Sequence, residues 1–451
     1  MNEVVMRDDG NAKIFDTLMQ LLGTTENVFV YGAGKYGSLM VEFLEAMGIS
    51  ISGVVVSSKP KDDCRLKGYV VSFADDIVIE KSDNKTYTFV LAMRDAWQQE
   101  VSDRFKDVEN IRLMRIPASF FREISGFLFY REESKNPNVT YHEWKKYFTE
   151  VIGSRCILVR REGGIGDLLT LEPLLRNLKK LGYTVLLETA NHYLFKYNES
   201  VDCLFRWGGT PDFISSKCLV FNLNLSHEYY PYIHMLDGYH SCLKGLLDIP
   251  PIENRDRIPV YNPAIKCNPS EKIKKICINN EATGWKTRIY DLDKMRDFAE
   301  YLKARGYEIF EIGSNKHNFL GVGHECFGLK FEDTVKLMSE MDLYVGLDNG
   351  LMHVAQSIFL PVFLLFGCTC PNLRIHDWTR ARVMWKNVDE LPCAGCHHRR
   401  RIPCTKTECM YDNCYCLDWS VEEVIYAFEH LKYNDPPVLK QEMFTPLWPK
   451  D

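Results

Sequence analysis

Two glycine-bearing turns hold the residues best placed for chemistry. The first is G-G-I-G-D, Gly163 to Asp167, between a strand-like run (Cys156 to Arg160) and a helical pattern reaching Leu181. Gly163, Gly164 and Gly166 let a ligand approach the backbone closely. Asp167 falls at the helix start, where the dipole favours a carboxylate. Such a carboxylate at a cleft edge suits general-base work. The plain alternative is an N-cap on a tight turn. The second turn lies in Gly346 to Gly367. Asp348, Asn349 and Gly350 follow a buried strand, Leu343 to Leu347, and open a short helix before a second apolar strand, Pro361 to Phe366. Backbone N–H groups and a positive helix end at the carboxyl edge of a parallel sheet form a natural diphosphate site. Here too a capped βα turn is the alternative. Leu351, Val354 and Ala355 fit a core, and His353 either packs or faces the cleft.

Other candidates are weaker by themselves. Lys286 and Arg288 follow the strand Ile276 to Asn279 and its loop, where a cation can clamp a diphosphate. Taken alone, they favour ordinary surface charge. Glu311, at a strand end, can accept from a ribose or sugar, or cap its loop. Gly32, Gly34 and Gly37 form G-x-G-x-x-G after a strand, a dinucleotide fingerprint. The acid expected after the second strand is missing, since Val56 precedes Ser57 and Ser58. Binding through a ribose 2′-hydroxyl lacks its usual partner. Six of the 16 cysteines crowd into C-x2-C-x7-C-x4-C-x4-C-x-C. In a reducing compartment this favours a structural zinc or iron; Cys393, Cys396, Cys404, Cys409, Cys414 and Cys416 exceed the four ligands it needs, so the set stays open. A redox or disulfide role is the alternative. The neighbouring His397 to Arg401 form a basic patch, solvated or facing an anion.

These residues need α/β elements to place them. The 451-residue chain is too long for one ordinary domain. Its 46% apolar and 26% charged residues are those of a soluble globular protein, and a net charge of −6 argues against bulk nucleic-acid binding. No apolar run reaches the roughly 18 residues of a membrane span, and no signal-peptide core follows the first methionine. The expected compartment is therefore the cytoplasm. Alternating strands and helices predict a Rossmann-like domain over 1–118. A connector over 119–154 has one helix near Tyr141 to Ile152. An acceptor domain spans 155–262, and a donor domain spans 270–435 with the cysteine knuckle 393–416. The Pro-rich stretch Ile249 to Pro269 reads as a linker.

The motifs G-G-I-G-D-L-L-T-L-E-P-L-L-R-N-L-K and V-G-L-D-N-G-L-M-H-V-A…P-V-F-L-L-F-G resemble the ADP-heptose heptosyltransferases, glycosyltransferase family nine. So do P-C-x-x-C and the late Cys416 before W-S-V-E-E-V. The resemblance runs from about Arg155 to Lys432. It implies GT-B architecture, two Rossmann-like domains across a cleft, with the extra N-terminal Rossmann-like domain outside the family core. It gives Asp167 the role of base on the acceptor hydroxyl. It makes Asp348, Asn349, Gly350 and Leu351 the holders of the donor diphosphate and sugar. R-I-Y stands where K-x-W is usual, so Arg288 takes that place beside Lys286. Asn349 stands where Ser or Thr is common. A subgroup acting on autotransporter proteins carries a similar cysteine-bound iron finger. The resemblance implies inverting transfer, ADP-heptose as favoured donor, and a glycan, lipid-linked or protein acceptor. No catalytic metal is expected; peripheral membrane contact and homo-oligomerisation stay open. A sugar-nucleotide-modifying enzyme or oxidoreductase working through Gly32 to Gly37 is the competing class.

Overall fold

The computed structural model describes residues 3–5, 11–80, 85–133, 138–153, 155–270, 272–282, 286–314, 319–398, 409, 414–434 and 436–437. The chain divides into two compact units, residues 1–158 with 205–220 and residues 159–204 with 221–451. Its class is α/β with parallel sheets, as GT-B resemblance implies. Among the described residues no helix is long and apolar enough to cross a membrane.

The first unit holds a seven-stranded sheet. Its order is Glu3–Val5, Ile111–Arg115, Tyr87–Leu91, Val28–Tyr31, Gly53–Val56, Tyr69–Phe73 and Arg65–Leu66. All pairs are parallel except the last. The central strands V-F-V-Y and Y-T-F-V-L are buried throughout, as strands covered on both faces must be. Gly32, at φ +118°, follows the first of them, and a Cβ on Gly37 would lie 1.9 Å from the Gly32 carbonyl oxygen. Both glycines are therefore fixed by the turn itself. A Cβ on Gly34 would meet nothing within 4 Å.

One element differs from expectation. Residues 118–133 form a full helix, Ala118–Glu133, where an irregular connector was predicted. Its apolar residues do not fall on a single stripe, because Phe120, Phe121, Ile124, Phe127 and Phe129 are all buried. Gly126 sits inside it where a Cβ would lie 3.0 Å from the Gly209 carbonyl oxygen. The expected helix is present as Tyr141–Val151, closed by a Thr140–Glu143 capping box.

A second sheet has the order Cys203–Arg206, Thr184–Thr189, Cys156–Arg160, Leu219–Asn222. The third is wholly parallel: His324–Phe327, Glu308–Gly313, Lys275–Ile278, Leu343–Leu347, Val362–Leu365, Ala381–Met384. The chain builds outward from Lys275–Ile278 and then returns to its other side at Leu343–Leu347. The strand order reverses between those two, the place where such sheets open a crevice at their carboxyl edge. Phe298, Phe363 and Phe428 pack together below, with ring centroids 5.6–6.1 Å apart. This core makes the strand ends rigid.

Candidate functional site

A cavity of about 830 Å³ opens at that carboxyl edge, within the second unit. The size suits a nucleotide-sized ligand. Its lining includes Gly164, Gly166 and Asp167 from the first motif and Asp348, Asn349, Gly350, Leu351 and His353 from the second. The structure thus brings the two motifs together, though nearly 180 residues separate them in sequence.

Glycine is what permits the meeting. The first motif opens helix Ile165–Lys180, and the second opens helix Gly350–Ser357. A Cβ on Gly166 would lie 2.5 Å from the His353 ring, and one on Gly350 would lie 3.1 Å from the Ile165 Cβ. The two first turns pack backbone against side chain in both directions. Gly163 is constrained as well, since its Cβ would press on Asp167 at 2.9 Å.

Asp167 is held from several directions. Its Oδ2 accepts the Gly164 N–H at 2.9 Å. Its Oδ1 lies 2.9 Å from His227 Nε2 and 3.4 Å from Arg161 Nη2. Arg161, 2% exposed, also donates to the Leu223 carbonyl at 2.8 Å. The buried Tyr239 hydroxyl donates to the Asp167 carbonyl at 3.2 Å. Burial alone would raise the carboxyl; the His227 bond and the Arg161 charge outweigh it and hold Asp167 well below the usual range.

Asp348 is 3% exposed and pairs with Arg288 at 3.2 Å. Burial pushes its carboxyl up, but the Arg288 and Arg374 charges prevail and bring it down to about 2. Asn349 is the helix N-cap: Oδ1 accepts from Met352 N–H at 3.0 Å, and Nδ2 donates to Asn279 Oδ1 and the Glu281 carbonyl at 2.6 and 2.8 Å. His353 does both things expected of it. It is 4% exposed and packed, with Nδ1 3.0 Å from His376 Nε2, and it lines the cavity. Burial lowers its imidazole to about 4, so it is neutral near pH 7.

Glu311 corrects an expectation. It does not line this cavity. Its oxygens accept from Leu320 and Val322 N–H at 2.7 Å each and from Gly323 at 2.9 Å, so it caps a loop. Lys286 begins a short 3-10 turn, and its side chain lies outside the described residues. Gly32, Gly34 and Gly37 belong to the other unit.

The sequence reading missed His227, Arg161 and Arg374, all of which line or support the site. Arg161 had a signal, as the basic pair before G-G-I-G-D. His227 opens a short 3-10 turn and Arg374 follows another, with no local spacing to mark either.

The cysteine segment is only partly described; Cys404 lies outside it. Cys393, Cys396, Cys409, Cys414 and Cys416 line one small cavity, joined by Cys368 from the strand end, which the sequence reading did not include. A hydrogen bond with Cys396 brings the Cys368 thiol down to about 7. Soft thiolates suit zinc or iron. Among the described residues no group of three side chains is set to hold an ion.

The family model for glycosyltransferase family 9 (heptosyltransferase) matches residues 209–402. The chain is 24% identical over 173 residues to the autotransporter heptosyltransferase TibC of Escherichia coli O78:H11, covering 35% of this chain and 39% of that protein. It is 24% identical over 189 residues to the autotransporter heptosyltransferase Aah of Escherichia coli, covering 40% and 44%. The matched stretch is thus less than half the length of either relative. Among solved structures, the iron-containing dodecameric glycosyltransferase TibC from enterotoxigenic E. coli H10407 aligns with a TM-score of 0.48 at 14% identity, over 61% of this chain and 75% of that one. The stretch similar to glycosyltransferase family 9 (heptosyltransferase), residues 209–402, includes the Asp348–Gly350 turn.

Proposed function

We propose that the chain is an inverting glycosyltransferase that moves a heptose from ADP-heptose to a hydroxyl of a bacterial surface glycan, lipid-linked glycan or protein. The observation that carries this reading is the single cavity lined by both Asp167 and the Asp348–Gly350 turn. In it, the donor diphosphate lies at the N-terminus of helix Gly350–Ser357, with Arg288 and Lys286 nearby. The acceptor hydroxyl attacks the anomeric carbon and its proton passes to Asp167. The bond from that carbon to the diphosphate breaks with its electron pair on the departing oxygen. Preorganised N–H groups and cations stabilise the charge that develops there. His227 and Arg161 keep Asp167 ionised and fixed in one orientation.

The domain limits 1–118, 119–154, 155–262 and 270–435 go with this reading. The cysteine knuckle is a structural zinc or iron site, with Cys393, Cys396, Cys416 and Cys368 as the described candidates and Cys409 and Cys414 as alternates. The metal would cross-link the loop to the strand end; the transfer step uses the residues above. The cytoplasm is the proposed location and self-association the proposed assembly.

The test is a thermal-shift series with ADP, ADP-heptose, UDP-sugars and NAD. Stabilisation by ADP and ADP-heptose above the others supports the reading. Stabilisation by NAD alone would shift the function to Gly32–Gly37 and the competing oxidoreductase class.

A further inference from the structure

Arg374 is a cationic cavity residue that the transfer scheme leaves unused. It follows strand Val362–Leu365 and the turn Pro371–Leu373, at the same carboxyl edge as Asp348. It is 7% exposed and lines the cavity. Its Nε is buried with no hydrogen-bond partner, and among the described residues no carboxylate pairs with its guanidinium. Arg288 is different, because Asp348 already meets it at 3.2 Å. The position of Arg374 is fixed. Its own N–H donates to the Pro371 carbonyl at 2.9 Å. Two residues on, the His376 N–H donates to Gln356 Oε1 at 2.7 Å, which ties the loop to helix Gly350–Ser357.

A guanidinium removed from water without a counter-ion is unfavourable, and a protein keeps one where an anion will arrive. Its flat donor fork matches the oxygens of a phosphate. The N-terminus of helix Gly350–Ser357 opens onto the same cavity and favours the same charge. The field of Arg374 already reaches both sides of the site, lowering the Asp348 and Asp167 carboxyls.

We propose that Arg374 is the residue that binds the diphosphate of the nucleotide-sugar, opposite the helix N-terminus, and takes up its charge as it leaves. This rests on reading the cavity as a nucleotide-sugar site. No covalent bond or proton of Arg374 changes. The anomeric carbon–oxygen bond breaks with its electrons on the diphosphate, the acceptor oxygen bonds to that carbon, and the acceptor proton goes to Asp167.

The experiment is calorimetric titration of the full chain and of Arg374→Gln and Arg374→Lys with inorganic pyrophosphate, ADP, UDP and adenosine. Losing charge-assisted bonds of this kind weakens binding roughly 10- to 100-fold. Arg374→Gln is expected to lose that much for pyrophosphate and ADP, with adenosine unchanged. Arg374→Lys is expected to recover part of it, as a point charge without the fork. Ligand-free melting temperature of Arg374→Gln is measured alongside to establish that the variant folds. Should that variant fail to fold, Arg374→Lys alone decides through the ratio of pyrophosphate to adenosine affinity. If the chain binds pyrophosphate and UDP but not ADP, and Arg374→Gln loses both, the ADP reading fails while Arg374 keeps its role. Equal pyrophosphate affinity in the chain and in folded Arg374→Gln overturns the proposal. So does an equal loss for adenosine, or no pyrophosphate binding by the chain at all.

Discussion

Asp167 is a carboxylate under heavy constraint. Held low by His227 and Arg161, it stays ionised across the ordinary working range but is a weak base. In the proposed transfer such a base takes a proton late, as the new oxygen–carbon bond forms. Asp167→Asn keeps the shape and removes the base, and the rate of transfer is expected to fall about 10²- to 10⁴-fold. The buried groups nearby also set acid stability. Burial lowers His353 from 6.5 to about 4 and His234 to about 3. Their contribution is complete above pH 6.5 and is lost as pH falls toward their folded values. Asp348, moved from 3.8 to about 2, contributes above 3.8 and loses it between there and 2, worth about 2 kcal/mol. Melting temperature should therefore drop in two steps on acidification, and His353→Gln should soften the first. A melting temperature flat from pH 7 to 4 would refute this. The placement of Asp167 and the Asp348 turn was legible because each is bound to a local strand–turn–helix pattern. That of Arg374 and His227 was not, because a residue at a short turn acquires its place from tertiary packing alone.

At the scale of elements, the two motif helices are locked through glycine. Gly166→Ala forces a Cβ to within 2.5 Å of a His353 ring that is 4% exposed and hydrogen-bonded to His376. Overpacking of this kind costs about 1–3 kcal/mol. Gly34→Ala, whose Cβ would meet nothing within 4 Å, is the comparison and should leave stability nearly unchanged. Denaturant unfolding of both variants checks the pair; equal stability would mean that the helix ends are not in close contact. The cysteine loop makes a separate demand. If a metal staples it, elemental analysis of purified protein should find zinc or iron near one per chain, and Cys393→Ser with Cys396→Ser should lower both metal content and melting temperature. Strands and short helices were read well from alternation and apolar runs. Helix Ala118–Glu133 was not, because being covered on several sides erased the single apolar stripe that marks a surface helix. Glu311 stayed open between two readings for a related reason. A strand-end carboxylate reads the same whether it meets a ligand or the N–H groups of its own loop, and only the fold shows the four backbone donors around it.

For the whole molecule, the order of strands is what turns two unremarkable turns into a site. Reversal between Lys275–Ile278 and Leu343–Leu347 opens the sheet where Asn279 and Asp348 emerge, and helix Ile165–Lys180 brings Asp167 to the same cavity. Alternating α/β composition made this class legible, while the convergence of residues as far apart as Asp167 and Arg374 was not written in any local stretch. The central claim is that one cavity holds a nucleotide-sugar and a base acting on the acceptor. It is tested most directly by following ADP release from ADP-heptose, with water or an added bacterial surface glycan as acceptor, in the native chain and in Asp167→Asn, alongside donor affinity for each. The account predicts donor affinity within about threefold and ADP release at least about 100-fold slower in the variant. Equal release rates in the two proteins would contradict it.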